Sequence, residues 1–137
     1  MIPPEVQIES VADPRHYDAK IIEGLIRTKK IRISERVSLE RRKKIEQDFG
    51  IEPGESAALF LAKEEKAVLG TDDGRAIKAA KIMGVPFFTA IHVLVQLCEK
   101  KRMEKKAALV KLDRLQKVGR YSIQIIEDAR ERIQKGR

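Results

Sequence analysis

The sequence has a single cysteine, no tryptophan and no long uncharged stretch, and each shortage excludes a class of protein. Cys98 cannot form an internal disulfide, and its place in an apolar helical pattern predicts a buried thiol in a reducing compartment. No uncharged run approaches the roughly 20 residues that a membrane span requires. The opening segment 1–5 also lacks the basic and then apolar pattern of a secretory signal. We therefore expect a cytoplasmic protein without a membrane segment.

Aromatic residues are scarce, whereas basic residues are abundant. Rings make up 4% of the chain, which argues against a surface that binds nucleic acid by stacking bases. The 29 Lys and Arg outnumber the 21 Asp and Glu, so the formal net charge is +8 and attracts polyanions such as nucleic acid or an anionic membrane. The composition favours contact with a nucleic-acid backbone, although a Lys- and Glu-rich chain is also typical of heat-adapted proteins.

The hydrophobic pattern predicts one α/β domain over residues 1–137. Short apolar runs alternate with segments of helical periodicity, which favours a parallel sheet with right-handed crossovers. Strands are predicted at 30–34, as a sheet edge, and at 67–71 and 85–89. Helices are predicted at 5–11, 15–28, 36–49, from 52, and at 72–83, 90–102, 104–118 and from 122, the last two as an antiparallel pair. Asp13, before Pro14, is expected to cap the second helix.

Three carboxylates stand at positions that suit a metal ion. Glu55 lies at the start of a predicted helix, and Asp72 and Asp73 follow the carboxyl end of a predicted buried strand, where parallel sheets expose their functional side chains. Nucleases that cleave phosphodiesters with divalent cations bind those cations through several carboxylates. Acidic residues in the first turn of a helix also serve as caps and dipole partners, so spacing alone leaves both interpretations open.

Several basic residues are candidate phosphate contacts. Arg75 and Lys78 follow the acidic pair by about one helical turn and could touch a substrate, although solvated helix faces carry such charges as well. Two basic runs could form an electrostatic track for RNA or merely keep a helix hydrated, because Glu residues are interleaved with both. These runs are Arg41-Arg42-Lys43-Lys44, and Lys100-Lys101-Arg102 with Lys105-Lys106.

The order of the elements and three strings of residues resemble PIN-domain proteins, particularly the branch of small prokaryotic nucleic-acid-binding members. The strings are Ile2-Pro3-Pro4-Glu5-Val6, Pro53-Gly54-Glu55-Ser56-Ala57-Ala58 and Leu69-Gly70-Thr71-Asp72-Asp73-Gly74-Arg75-Ala76. The segment 85–90 is similar to a further strand and turn of the family but has Phe88 where a glycine is usual. The resemblance runs from Ile2 to about Ile133. It implies a three-layer α/β/α sandwich around a short parallel sheet, with a C-terminal helix pair.

The resemblance also implies a function. It is that of an endoribonuclease dependent on Mg²⁺ or Mn²⁺, commonly the toxin of a toxin–antitoxin pair, so RNA and an antitoxin protein are the expected partners. Glu55 would be the acidic residue of the family's mid-domain helix, Asp72 the one that ends the fourth strand and Asp73 a close auxiliary. The alternative is a noncatalytic module that binds nucleic acid or protein.

One departure from the family pattern concerns the N-terminus. PIN domains begin with a strand that carries a metal-binding Asp, and this sequence begins at what resembles the end of the second strand. We therefore expect a domain incomplete at its N-terminus, and the missing ligand leaves open whether the chain is active or inactive. A late start codon, a truncated copy or a sheet completed by another molecule, such as a second copy in a homodimer, would each explain it. Asp13 and Asp18 do not replace the ligand, because the first is predicted to be a cap and the second lies within an amphipathic helix.

Overall fold

The computed structural model describes residues 1–35, 38–119 and 121–136. Within them the chain forms eight helices and one two-stranded parallel sheet, an α/β arrangement. The chain divides into two compact units, Met1–Phe87 and Phe88–Arg137. The first contains α1 (Pro4–Ser10), α2 (Tyr17–Arg27), α3 (Leu39–Phe49), α4 (Pro53–Glu64), β1 (Leu69–Gly70) and α5 (Gly74–Met83). The second contains α6 (Ala90–Glu99), α7 (Lys105–Val118) and α8 (Ile123–Lys135), and the strand β2 (Phe87–Phe88) spans the boundary.

The helix ends follow local signals in the sequence. Gly50 and Gly84 adopt φ values of 62° and 68° after α3 and α5, the left-handed conformation that commonly ends a helix. Thr89 and Ser122 accept hydrogen bonds from the third amide of α6 and α8, each at 3.3 Å. The predicted helices are therefore confirmed, with ends that differ by a few residues. The predicted start of the third, at residue 36, lies outside the described residues.

The predicted strands are reduced to brief pairings. β1 pairs with β2, and the Leu69 amide donates to the Pro86 carbonyl at 2.8 Å. The predicted edge strand at 30–34 contributes a single parallel bridge between Ile33 and Ile2. Pairings of two residues are much shorter than the average strand of about 5–6 residues, so helices provide most of the packing. The predicted three-layer sandwich stays a prediction.

Two predictions for α2 are wrong. The N-cap residue of α2 is His16, whereas Asp13 forms an ion pair with Arg15 at 2.8 Å. Hydrogen bonds from the side chain and the amide of Arg15 hold the pKa of the Asp13 carboxyl below its usual value. The apolar residues at helical spacing in this segment, among them Tyr17 and Ile21, predict a buried helix face. Tyr17 and Ile21 are instead 80% and 45% exposed. The buried residue of α2 is Ala19.

α4 is the central helix of the first unit. It contacts α1, α3, α5 and β1, and its Ala57 and Leu59 are fully buried. The core around it also contains Ile45 from α3, Leu69 from β1 and Ala80 from α5. Small side chains on α4 and α5 let the helices lie close together, and this arrangement brings the N-terminal ends of both helices to the same cavity.

The second unit is a cluster of three helices. α6 contacts α7 and α8, which contact each other, around Leu112 and Ile133, both fully buried. The predicted antiparallel pair is confirmed, because Lys105 Nζ at the start of α7 donates to the Gln134 carbonyl near the end of α8 at 3.1 Å. Cys98 is buried in this core, as predicted. In the described part of the chain, no helix has both the length and the apolar character to cross a membrane.

Candidate functional site

A cavity of about 100 Å³ opens at the carboxyl end of β1, within the first unit. Leu69, Gly70 and Thr71 line it where the strand ends, and helices α1, α4 and α5 supply the other lining residues. Those residues are Val6, Glu9, Gly54, Glu55, Ala58 and Ala76. The cavity therefore combines two carboxylates with the backbone at the end of a strand and small apolar side chains.

Glu55 reaches the cavity from the first turn of α4. Its Oε2 accepts a hydrogen bond from the Glu52 amide at 3.3 Å, which is the role of an acidic residue three positions after a helix cap. Pro53 occupies the first helical position, where its missing N–H costs nothing. The local sequence thus fixes Glu55 at the helix start and aims a carboxylate at the end of β1.

Asp72 and Asp73 follow β1 directly. Asp73 caps α5, because its Oδ2 accepts a hydrogen bond from the Ala76 amide at 2.8 Å, and its own amide donates to Thr71 Oγ1 at 3.1 Å. Asp72 precedes it in the chain and is exposed to solvent. Both aspartates therefore lie in the short segment between the end of β1 and the first turn of α5.

Burial and neighbouring charges act on the ionisation of Glu55. Burial is the largest effect and raises the pKa of the Glu55 carboxyl above its usual value. The hydrogen bond from the Glu52 amide lowers this pKa, and the negative charges of Asp73, Glu52 and Glu9 each raise it by a smaller amount. The charge of Asp73 therefore reaches Glu55, whereas the role of both carboxylates as metal ligands stays a prediction. Repulsion of this kind is relieved when a cation binds between the groups.

Glu9 is the acidic residue that sequence reasoning missed. It lies on α1, and a Cβ built on Gly54 would come 2.6 Å from Glu9 Oε2, so the carboxylate rests against the backbone at the start of α4. Val6 and Glu9, three residues apart on one helix face, both line the cavity. That spacing, combined with a glycine at the start of α4, is the only sign in the sequence that Glu9 could belong to the site. It can be interpreted only once α1 and α4 are known to pack together.

A family model described as a PIN domain matches residues 1–135. The chain belongs to the PIN-domain family. No curated protein and no solved structure matches it. The resemblance noted from the sequence strings is thus confirmed for the family, whereas the small prokaryotic branch remains a prediction.

The basic residues predicted to contact phosphate lie on the first two turns of α5 in this PIN domain. Arg75 Nη1 donates to the Gly50 carbonyl at 2.9 Å and so ties α5 to the end of α3. Lys78 is exposed one turn further along. Arg75 therefore has a structural partner already, but its guanidinium carries five N–H donors, and one carbonyl uses only part of that capacity.

The carboxylate set of the PIN domain fits Mg²⁺ or Mn²⁺ in chemistry and charge. Hard divalent cations prefer carboxylate oxygens. Glu9 and Glu55 line the cavity, and Asp73, which does not line it, is near enough for its charge to act on Glu55. In residues 1–35, 38–119 and 121–136, no three His, Cys, Asp or Glu side chains are already arranged to hold an ion. Glu55 and Asp73 each give one oxygen to a helix amide. Since an ionised carboxylate offers about four acceptor positions, these caps leave capacity for a cation.

Proposed function

We propose that this PIN-domain chain is an endoribonuclease that depends on Mg²⁺ or Mn²⁺, with Glu55, Asp72, Asp73 and Glu9 as its cation-binding residues. The observation that supports the proposal is that Glu55 and Glu9 line one cavity at the end of β1, with Asp73 near enough for its charge to act on Glu55. A carboxylate perturbed by burial and by like charges in a cavity is typical of functional sites. RNA as the substrate follows from the family resemblance and from the basic balance of the chain.

The chemistry divides between the cation and the chain. A bound divalent cation would polarise the phosphodiester and lower the pKa of the attacking water. The carboxylates of Glu55 and Asp73 are held in place by their hydrogen bonds to helix amides, so they can receive the cation with little reorganisation. Arg75 and Lys78, on the helix that Asp73 caps, would position the substrate phosphate.

Cleavage of a labelled RNA in the presence of Mn²⁺ tests the proposal. We expect Glu55→Gln and Asp72→Asn each to lower kcat/KM by about 100-fold or more, since both changes remove a charged ligand. Asp48→Asn is the matched control, because Asp48 is an exposed carboxylate of the same unit that does not line the cavity. Full activity of Asp72→Asn would remove Asp72 from the site, and activity that persists with a chelator would exclude the metal mechanism.

The second candidate is a noncatalytic module that binds nucleic acid or protein. It is favoured by one observation, namely that Glu55 and Asp73 both serve as helix caps and so have structural roles without any metal. A Mn²⁺ titration separates the two candidates. The nuclease should bind Mn²⁺ with a millimolar or lower Kd that Glu55→Gln weakens, whereas the module should bind RNA equally well with chelator present. An antitoxin partner and a homodimer remain predictions of the resemblance.

A further inference from the structure

The net positive charge of this chain arises almost entirely from its second unit. Residues 88–137 contain 13 of the 29 Lys and Arg but 6 of the 21 Asp and Glu, a formal charge of +7. Residues 1–87 contain the other 16 basic and 15 acidic residues, a formal charge of +1. The unit that holds the carboxylate cavity is therefore nearly neutral, and a polyanion drawn by the net charge would meet its strongest attraction at the other unit.

Five cations of the second unit cluster where α6 leads into α7. They are Lys100, Lys101, Arg102, Lys105 and Lys106, which we call the basic turn, and all five are exposed. Lys101, Arg102 and Lys105 line a cavity of about 350 Å³, together with Met103 and Glu104. Three cations of the basic turn thus line a concave surface.

The charges of the basic turn are not neutralised within the part of the chain that the structure describes. Elsewhere in the second unit, Arg130 pairs with Asp113 at 2.7 Å, Arg132 pairs with Glu99 at 2.8 Å, and Lys135 pairs with Glu131. Among the described residues, no ion pair involves a residue of the basic turn, and Lys105 donates to a neutral carbonyl.

The other basic run, 41–44, is different. Arg42 is largely buried and pairs with Glu5 and with Glu46, and Arg41 lies 3.7 Å from Glu64. Half of that run is therefore engaged by carboxylates of its own unit. The two runs that the sequence could not distinguish differ in their partners, because the basic turn is the run in which no cation has a carboxylate partner among the described residues.

The chemistry around the basic turn favours phosphate over a protein surface. Between residues 94 and 109 the structure has no exposed large hydrophobic side chain among those described, and Met103 is half-buried. Protein interfaces depend on apolar and aromatic anchors at their centre. Contacts to a nucleic-acid backbone need cations and can be made without rings, which suits a chain with 4% aromatic residues.

We propose that the basic turn binds the phosphate backbone of RNA, without preference for base sequence. The choice of RNA rests on the proposed ribonuclease function, whereas the surface rests on the charges and the cavity of the second unit. It assigns substrate capture to residues outside the carboxylate site.

Fluorescence anisotropy of the full chain with a labelled single-stranded RNA tests this proposal. The variant combines Lys101→Asn, Arg102→Gln and Lys106→Gln, and asparagine is chosen because residue 101 has a φ of 55°, which asparagine tolerates. The control combines Lys111→Gln, Arg114→Gln and Lys117→Gln, which removes the same charge from exposed positions of α7 outside the basic turn. Circular dichroism confirms that each variant is folded, and the single Arg102→Gln change should show a smaller loss in the same direction.

We expect the basic-turn variant to bind RNA about tenfold or more weakly, and the slope of log K against log salt to fall in magnitude by about 2 for three lost contacts to a single strand. The control should stay close to the unmodified chain. Equal weakening of both variants, or of neither, would overturn the assignment. Competition by poly-glutamate as strong as that by RNA, at equal charge, would overturn it in favour of an acidic protein. All binding titrations contain chelator and do not depend on cleavage. Absence of nuclease activity in a separate assay would therefore contradict the proposed function without changing the binding result.

Discussion

At the scale of single residues, the informative feature is a carboxylate that the folded chain holds in an unfavourable ionisation state. The folded pKa of Glu55 lies above its ordinary value of 4.5 because of burial, with further repulsion from Asp73, Glu52 and Glu9. When folding raises the pKa of a carboxyl, the protonated group stabilises the folded state. This contribution to the free energy of unfolding is fully present below the pKa of the unfolded chain and is lost as pH rises through the pKa of the folded chain. Ionised Glu55 therefore destabilises the fold at neutral pH.

Glu55→Gln should accordingly raise the melting temperature at pH 7. Glutamine retains an oxygen that accepts the Glu52 amide, so the helix start is preserved while the repulsion is removed. The advantage should shrink as pH falls towards 4.5 and vanish below it. Thermal melts of both chains between acidic and neutral pH measure this difference. Addition of Mn²⁺ should reverse the order, and a variant that is less stable than the unmodified chain at neutral pH would contradict the repulsion.

The second prediction concerns Gly54, because the absence of a side chain there leaves room for the Glu9 carboxylate. A methyl group there would lie 2.6 Å from Glu9 Oε2, and only the end of a flexible side chain needs to move. Alanine is also favoured over glycine inside a helix by about 1 kcal/mol. We expect Gly54→Ala to fold with unchanged or slightly higher stability but to bind Mn²⁺ at least several-fold more weakly. Denaturant unfolding and Mn²⁺ titration of the same sample measure both effects, and unaltered Mn²⁺ binding would exclude Glu9 from the site.

At the scale of elements, one arginine connects three helices of the first unit. Arg42 of α3 pairs with Glu5 of α1 and, at 2.9 Å, with Glu46 of its own helix. Ser56 of α4 donates to Glu46 at 3.0 Å. The Arg42 side chain is 14% exposed, so its removal would leave two partly buried carboxylates without their cation. This network helps to hold α1, and with it Glu9, against α4.

Arg42→Met should destabilise the chain by about 2–3 kcal/mol, somewhat less than the loss of one partner in a fully buried ion pair. Arg41→Met is the matched control, because Arg41 is 69% exposed and its pair with Glu64 is worth little. Chemical denaturation measures both changes. If Glu5→Gln and Glu46→Gln are added to Arg42→Met, much of the stability should return, since no buried charge then lacks a partner. Equal effects of the two arginine changes would contradict the role of the network.

The same scale shows what local sequence could predict. Helix ends at Gly50, Gly84, Thr89 and Ser122 were predictable because capping depends on a few neighbouring residues. The extent of the strands was not, because a strand exists only where a partner is placed beside it. The prediction that Tyr17 and Ile21 of α2 are buried was wrong for a related reason. An apolar helix face is buried only if another element covers it, and both side chains are exposed.

At the scale of the whole molecule, the sequence predicted the family, but not how charge is divided between the two compact units. Glu55 and Asp73 were candidates from the sequence because each stands at a helix start, next to a strand in the chain or in space. Glu9 was missed because it joins them only through the packing of α1 on α4. The net charge of +8, taken as one number, concealed a nearly neutral unit and a strongly basic one.

This uneven division of charge has a practical consequence for anyone who purifies the protein. A variant disabled at the carboxylates keeps every cation of the basic turn, so it should emerge from lysates with cellular nucleic acid still attached. Such contamination would shield the added substrate and imitate a catalytic defect. Washing at high ionic strength, with absorbance at 260 and 280 nm as the check, must therefore come before any comparison of mutant activities.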